Sequence, residues 1–182
     1  LNLSRSNGLG YDAWVNIYDS FKTVKDSTYE EYLQILDKEL IFLKNNWPIN
    51  LPKAIIHADL FIDNVLFTNN KISGVIDFYF SCNDFIAYEL ALTINAWCFN
   101  ENGTFNYENF NSFIIGFNSV SSLNNEEKES MNILLRGAAV RILVTRLHDK
   151  IFHSNDALVE LKNPKEYLNI LKWHQNNKKL NI

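Results

Sequence analysis

Apolar and polar positions follow more than one rhythm along this chain, and each rhythm predicts a different element. Tyr29, Leu33, Leu36, Leu40 and Leu43 recur at helical spacing until Pro48 ends the run. Ser27 and Thr28, with Glu30 and Glu31 three residues on, offer a helix over 27–46 a capping box. From Ile55 the pattern changes to an apolar lead-in, a polar loop and two short strand-forming runs. Val65–Thr68 reads as one strand, Asn69-Asn70-Lys71 as a tight turn and 72–78 as the returning strand. Helical periodicity then resumes. Asn83 or Asp84 caps a helix through Phe99, and Phe110, Phe113, Ile114 and Phe117 mark a shorter one. Asn125, followed by Glu126 and Glu127, opens a long helix to about Phe152, and Pro164 stands in the first turn of a last helix to about Lys179. The expected fold is mainly α with a small β-hairpin, in one domain over 1–182. It has a lead-in at 1–26, a loop and hairpin at 55–80 and a helical subdomain at 84–180.

The polar loop carries the chemistry. His57-Ala58-Asp59 is followed by Asn64 five positions after the Asp, and Asp77 closes the hairpin. A carboxylate that accepts a hydroxyl proton must lie within hydrogen-bond reach of it, while an Asn and a second Asp hold the metal on the phosphates. The Asp59–Asn64 spacing matches the catalytic loop of kinases, where the Asp is the base and the Asn reaches a metal. Asp59 is therefore the candidate base, with His57 beside it. Asn64 and Asp77 are candidate ligands for Mg2+ and, through it, ATP. His-x-Asp alone is a weak signal; a hairpin that returns Asp77 to the loop gives it weight. The competing reading is a loop in which Asp59 and Asp63 cap backbone amides and His57 is a satisfied core histidine. Even within an active site, His57 suits bracing the loop better than chemistry.

Composition narrows the class. At 182 residues, 47% hydrophobic and 21% charged, the chain can build one core. A net charge of -4 argues against a nucleic-acid grip. Cys82 and Cys98 have apolar neighbours and read as buried thiols, not as a disulfide framework. The most apolar stretch, 85–99, is interrupted by Glu89 and Asn95 and is too short to span a bilayer. With no signal peptide in view, a cytoplasmic protein without membrane partners is the default. His153 and His174 read as surface or helix-end residues, and Trp97 and Phe99 as core.

Three of the four arginines, Arg136, Arg141 and Arg146, lie in the one long apolar helix. Arg141, Thr145 and His148 form a polar stripe along it. Arginine suits bidentate capture of a carboxylate, which makes this stripe a candidate substrate contact. The alternative is internal: Arg141 or Arg146 pairing with Glu89 or Asp84 to tie two helices together.

The His57 to Val65 loop, the run Gly74-Val-Ile-Asp77-Phe-Tyr79-Phe-Ser-Cys82-Asn83-Asp84 and the block Asn95-Ala-Trp97-Cys-Phe99 together resemble bacterial homoserine kinases. That family belongs to the aminoglycoside/choline phosphotransferase-like group of the protein-kinase-like superfamily. Further similarity lies in Arg141-Ile-Leu-Val-Thr-Arg146-Leu-His-Asp149 and Asn163-Pro-Lys-Glu-Tyr-Leu. The resemblance implies the large, C-terminal lobe of a kinase-like fold and ATP- and Mg2+-dependent phosphorylation of homoserine, a step of threonine biosynthesis. Choline, ethanolamine or an aminoglycoside is the alternative acceptor. It also implies that Tyr79 joins Arg141 and Arg146 as a candidate substrate contact. Glu89 stands where the family usually shows Asp. Members begin with a small lobe carrying a phosphate-covering loop and a Lys, whereas Asn7-Gly8-Leu9-Gly10 has neither the spacing nor the following Lys. The chain thus reads as the large lobe without its partner, which leaves a non-catalytic module as a second reading. An apolar patch beside Asp77, inviting self-association, is the expected result.

Overall fold

The computed structural model describes residues 4–100, 103–153 and 161–182. Among these, six helices and four short strands follow in the order α1 (Tyr11–Phe21), α2 (Glu30–Asn46), β1 (Lys53–Ile56), β2 (Val65–Thr68), β3 (Lys71–Val75), β4 (Cys82–Phe85), α3 (Ile86–Trp97), α4 (Tyr107–Asn118), α5 (Asn125–Phe152) and α6 (Pro164–Asn176). The mainly helical class with a small hairpin is as expected. No helix of the described residues is long and apolar enough to cross a membrane.

Helix α5 is the axis of the core, packing against α6, α3, α1 and α2. Its middle, from Leu134 through Val144, is buried on every side, as befits a helix surrounded by others. Gly137 explains how the neighbours come so close. A Cβ there would stand 2.2 Å from Trp47 Cζ3 and 3.1 Å from Trp14 Cη2. The two tryptophans meet edge-on at 5.2 Å, and Tyr88 of α3 meets Trp47 at 5.6 Å.

Several boundaries differ from the sequence reading, each for a local reason. The lead-in at 1–26 contains α1, whose Trp14, Tyr18 and Phe21 bury one face. The capping box expected at Ser27 and Thr28 is absent; Asp26 instead accepts from the Thr28 amide and starts a 3₁₀ turn ahead of α2. Neither Asn83 nor Asp84 caps α3, because both are paired in β4. The α5 cap is Asn124, one residue before the expected start, in a full capping box with Glu127. Helix α6 ends at Asn176 and not near Lys179. His174 is fully buried, its Nε2 2.7 Å from Asn95 Oδ1, and burial lowers its pKa to about 3. Cys82 and Cys98 are buried thiols, as read.

Two antiparallel pairs position the polar loop. β2 and β3 form the expected hairpin, with Asn69 and Asn70 both at positive φ as a two-residue primed turn requires. β3 stops at Val75, short of the expected 78, because Asp77 adopts left-handed backbone angles and a 3₁₀ turn follows. The pairing of β1 with β4, Ile56 opposite Cys82, was not foreseen. It brings the chain entering the loop at His57 alongside the chain leaving Asp77.

Candidate active site

The loop from His57 to Asn64 is held by its own backbone and by four side chains, His57, Glu89, Trp97 and Asn64. Phe61 N–H donates to the Asp59 carbonyl at 2.8 Å and Asn64 N–H to the Phe61 carbonyl at 3.0 Å. Asp59 N–H donates to His57 Nδ1 at 3.3 Å, which leaves His57 Nε2 to donate to the Ile76 carbonyl at 2.9 Å. The imidazole thereby bridges the loop and the segment carrying Asp77. Ala58, nearly fully buried, has φ 63, and its N–H donates to Glu89 Oε2 at 2.7 Å. A non-glycine residue in that region is strained unless its surroundings hold it there. Glu89 supplies that hold from α3, a role sequence reasoning missed because Ala58 and Glu89 lie 31 residues apart. Trp97 Nε1 donates to the Leu60 carbonyl at 2.8 Å.

Asn64 reaches back to Asp59. Its Nδ2 donates to the Asp59 carbonyl at 2.8 Å and to Asp59 Oδ2 at 3.3 Å, which turns Asn64 Oδ1 the other way. The Asp77 carboxylate accepts no hydrogen bond among the described residues. Asp59, Asn64 and Asp77 line one cleft of about 280 Å³, together with Phe61, Asp63, Ile142, Thr145, Arg146 and Lys162. Burial holds the Asp59 carboxyl above the usual carboxylate range, reinforced by the charge of Asp77 and opposed by Arg141, His57 and Lys162. A carboxylate pushed in that direction is a stronger base.

The three arginines of α5 take three different paths. Arg136 makes a buried bidentate pair with Glu39, Nε to Oε1 at 2.6 Å and NH2 to Oε2 at 2.7 Å. Arg141 is 1% exposed, its guanidinium 5.7 Å from the Phe80 ring centroid, and its Nε and NH1 have no hydrogen-bond partner among the described residues. Arg146 pairs with Glu166. Neither Arg141 nor Arg146 makes the expected ion pair with Glu89 or Asp84; Asp84 instead accepts from Asn7. Of the candidate acceptor contacts, Arg146 lines the cleft, whereas Arg141 lies behind it and Tyr79 outside it. Tyr79 is 70% exposed, and its carbonyl accepts from Arg5 at 2.5 Å. Lys162 also lines the cleft, with no motif around it to mark it in advance. Beside Asp77, Ile76, Phe78 and Tyr79 are exposed, as are Leu66, Phe67 and Ile72 on the hairpin, so the expected apolar patch is present.

Comparison with known protein families places most of this region in one of them. Residues 12–120 fit the phosphotransferase enzyme family, APH. The chain belongs to this family. Curated relatives add detail: the chain is similar to proteins named homoserine kinase from Parvibaculum lavamentivorans, 44% identical over 173 residues, and from Sinorhizobium fredii, 40% identical over the same length. A third, from Allorhizobium ampelinum, is 42% identical. Each match covers 95% of this chain but 53–54% of the relative. The chain thus spans about half the length of these phosphotransferase relatives.

For Mg2+, the donors suit the ion. Among the described residues no group of three or more His, Cys, Asp or Glu could hold a metal. Mg2+ on a nucleotide needs less than such a cage, since it takes one or two protein oxygens and completes its shell with phosphates and water. The unused Oδ1 of Asn64 and the unpaired carboxylate of Asp77 are hard oxygen donors of this kind.

Proposed function

We propose that this chain is the large lobe of an ATP-dependent phosphotransferase, acting in the cytoplasm, that phosphorylates the side-chain hydroxyl of homoserine. The observation that carries this reading is the shared cleft of Asp59, Asn64 and Asp77, with the homoserine kinase relatives supplying the acceptor. Asp59 accepts the hydroxyl proton as the acceptor oxygen bonds to the γ-phosphorus and the bond from that phosphorus to the ADP oxygen breaks. Asn64 has two duties: its amide N–H groups fix Asp59, and its carbonyl oxygen, with Asp77, would hold Mg2+. The bound ion neutralises charge on the phosphates. His57 takes no proton in this scheme; it keeps the Asp77 segment in register with the loop. Arg141 stands behind Asp59 and lends positive charge that favours its ionised form. The apolar surface at Ile76, Phe78 and Tyr79 fits a second lobe packing over the nucleotide side.

The test is the full-length gene product assayed for ADP release with homoserine, choline and an aminoglycoside. Homoserine should be preferred. Asp59→Asn should lower kcat by roughly 100-fold to 10,000-fold with little change in ATP affinity. Preference for either other alcohol removes the homoserine assignment, and an Asp59→Asn protein of near wild-type kcat removes Asp59 as the base.

A further inference from the structure

Arg146 is anchored along one edge only. Its NH1 donates to Glu166 Oε2 at 2.6 Å and to the Asn163 carbonyl at 3.2 Å, and its guanidinium carbon lies 4.6 Å from the Tyr167 ring centroid. Among the described residues its Nε and NH2 make no hydrogen bond. Arg146 lines both the cleft at Asp59 and an adjoining hollow of about 230 Å³. Nε and NH2 form the edge that Arg136 uses to grip the Glu39 carboxylate. A guanidinium oriented by a carboxylate, a carbonyl and a ring, with that fork still open, is preorganised for a second carboxylate.

The same two hollows share Asp63 and Lys162. Lys162 Nζ meets Asp63 Oδ2 at 3.0 Å, with both side chains more than half exposed. An ion pair of that kind is weak and readily exchanges partners with a charged ligand. The cleft therefore presents a fixed cation, an exchangeable pair of opposite charges and, at Asp59, the proposed base.

We propose that these residues form a subsite for the zwitterionic end of a free hydroxy-amino acid: the Nε–NH2 edge of Arg146 takes the α-carboxylate and Asp63 the α-ammonium. Lys162 turns from Asp63 to the carboxylate as the ligand enters, and the side-chain hydroxyl is left pointing toward Asp59. The proposal rests on the phosphotransferase reading above and adds which charges of the acceptor are read, and by what.

The experiment compares three acceptors on the full-length gene product. These are homoserine, 3-aminopropan-1-ol, which lacks only the carboxylate, and 4-hydroxybutyrate, which lacks only the ammonium. Arg146→Met should raise KM for homoserine on the order of 10-fold to 100-fold, the scale of a lost charge-assisted hydrogen bond, and should narrow the preference over 3-aminopropan-1-ol. Asp63→Asn should instead narrow the preference over 4-hydroxybutyrate. Arg146→Lys, which keeps charge but loses the fork, should fall between wild type and Arg146→Met, and it carries the test if the Met variant unfolds. Equal losses on all three acceptors, or an unchanged homoserine KM in the folded variants, overturn the subsite while the kinase reading stands. A wild-type protein inactive on homoserine overturns the homoserine assignment and the subsite together.

Discussion

Glu89→Ala removes the acceptor that holds the backbone at Ala58. The deleted bond is short, 2.7 Å, and its donor belongs to a residue almost fully buried at φ 63. Leaving a buried N–H unpaired costs about 1–3 kcal/mol. The left-handed turn already carries about 1–3 kcal/mol of strain in the wild type, and relaxing it without Glu89 recovers part of that loss. A net loss of roughly 1–2 kcal/mol is therefore expected. For a chain of this size each kcal/mol moves Tm by about 2–4 °C, so the melt should fall by roughly 2–8 °C. The relaxed turn also displaces Asp59, and kcat should fall more than KM for ATP rises. Glu89→Gln keeps an oxygen at the same reach and should recover most of both losses. The pH dependence has a definite sign. Burial raises the Glu89 pKa, so the folded protein disfavours its charge. Stability due to this group is full below the unfolded pKa and fades as pH rises through the folded one. Gln does not titrate, so wild type should lose stability relative to Glu89→Gln as pH rises across that window. Thermal melts at several pH values together with steady-state kinetics decide the matter. An Ala variant as stable as wild type, or a Gln variant as damaged as Ala, would refute the clamp.

Gly137→Ala should destabilise the protein although Ala is the better helix former. Overpacking against the Trp47 ring costs about 1–3 kcal/mol and outweighs a propensity gain of about 1 kcal/mol; a raised Tm would count against the tight packing. The acid limb of kcat should lie above the ordinary aspartate value of 3.8, because burial raises the Asp59 pKa. Arg141→Met should move that limb further up, since Arg141 is the strongest influence pulling the pKa down; a limb that stays put or moves down in a pH–rate profile removes Arg141 from this role.

The loop was legible because its chemistry sits at fixed offsets. Asp59, Asn64 and Asp77 are polar residues bounded by apolar strand formers, and a hairpin marked by Asn69-Asn70 returns the third to the first two. Helix starts were harder. Around 26–28 and 124–125 adjacent residues can all cap, and the backbone angles that choose among them are not written in residue type. Helix α1 does carry a signature at helical spacing, in Trp14, Tyr18 and Phe21. The residues that could not be read depend on distant partners. His174 is buried because Asn95, 79 positions away, meets its ring. Glu89 matters because of Ala58, and Lys162 enters the cleft through an ion pair that spans 99 positions. Arg141 and Arg146 lie five residues apart on one helix, yet burial separates one behind the cleft from the other within it.

The bond from Trp97 to the Leu60 carbonyl gives the protein a built-in optical reporter. Trp14 is fully buried, Trp47 packs edge-on against it and Tyr88, and Trp173 stacks on Phe105 at 4.3 Å. Trp97 alone of the four ties its indole N–H to the loop that bears Asp59, with the Phe67 ring of the hairpin 6.4 Å away. Indole emission shifts when its N–H exchanges a carbonyl for water. Ligand-induced movement of this loop should therefore be visible as a change in the fluorescence of one residue against three steady ones, without any label.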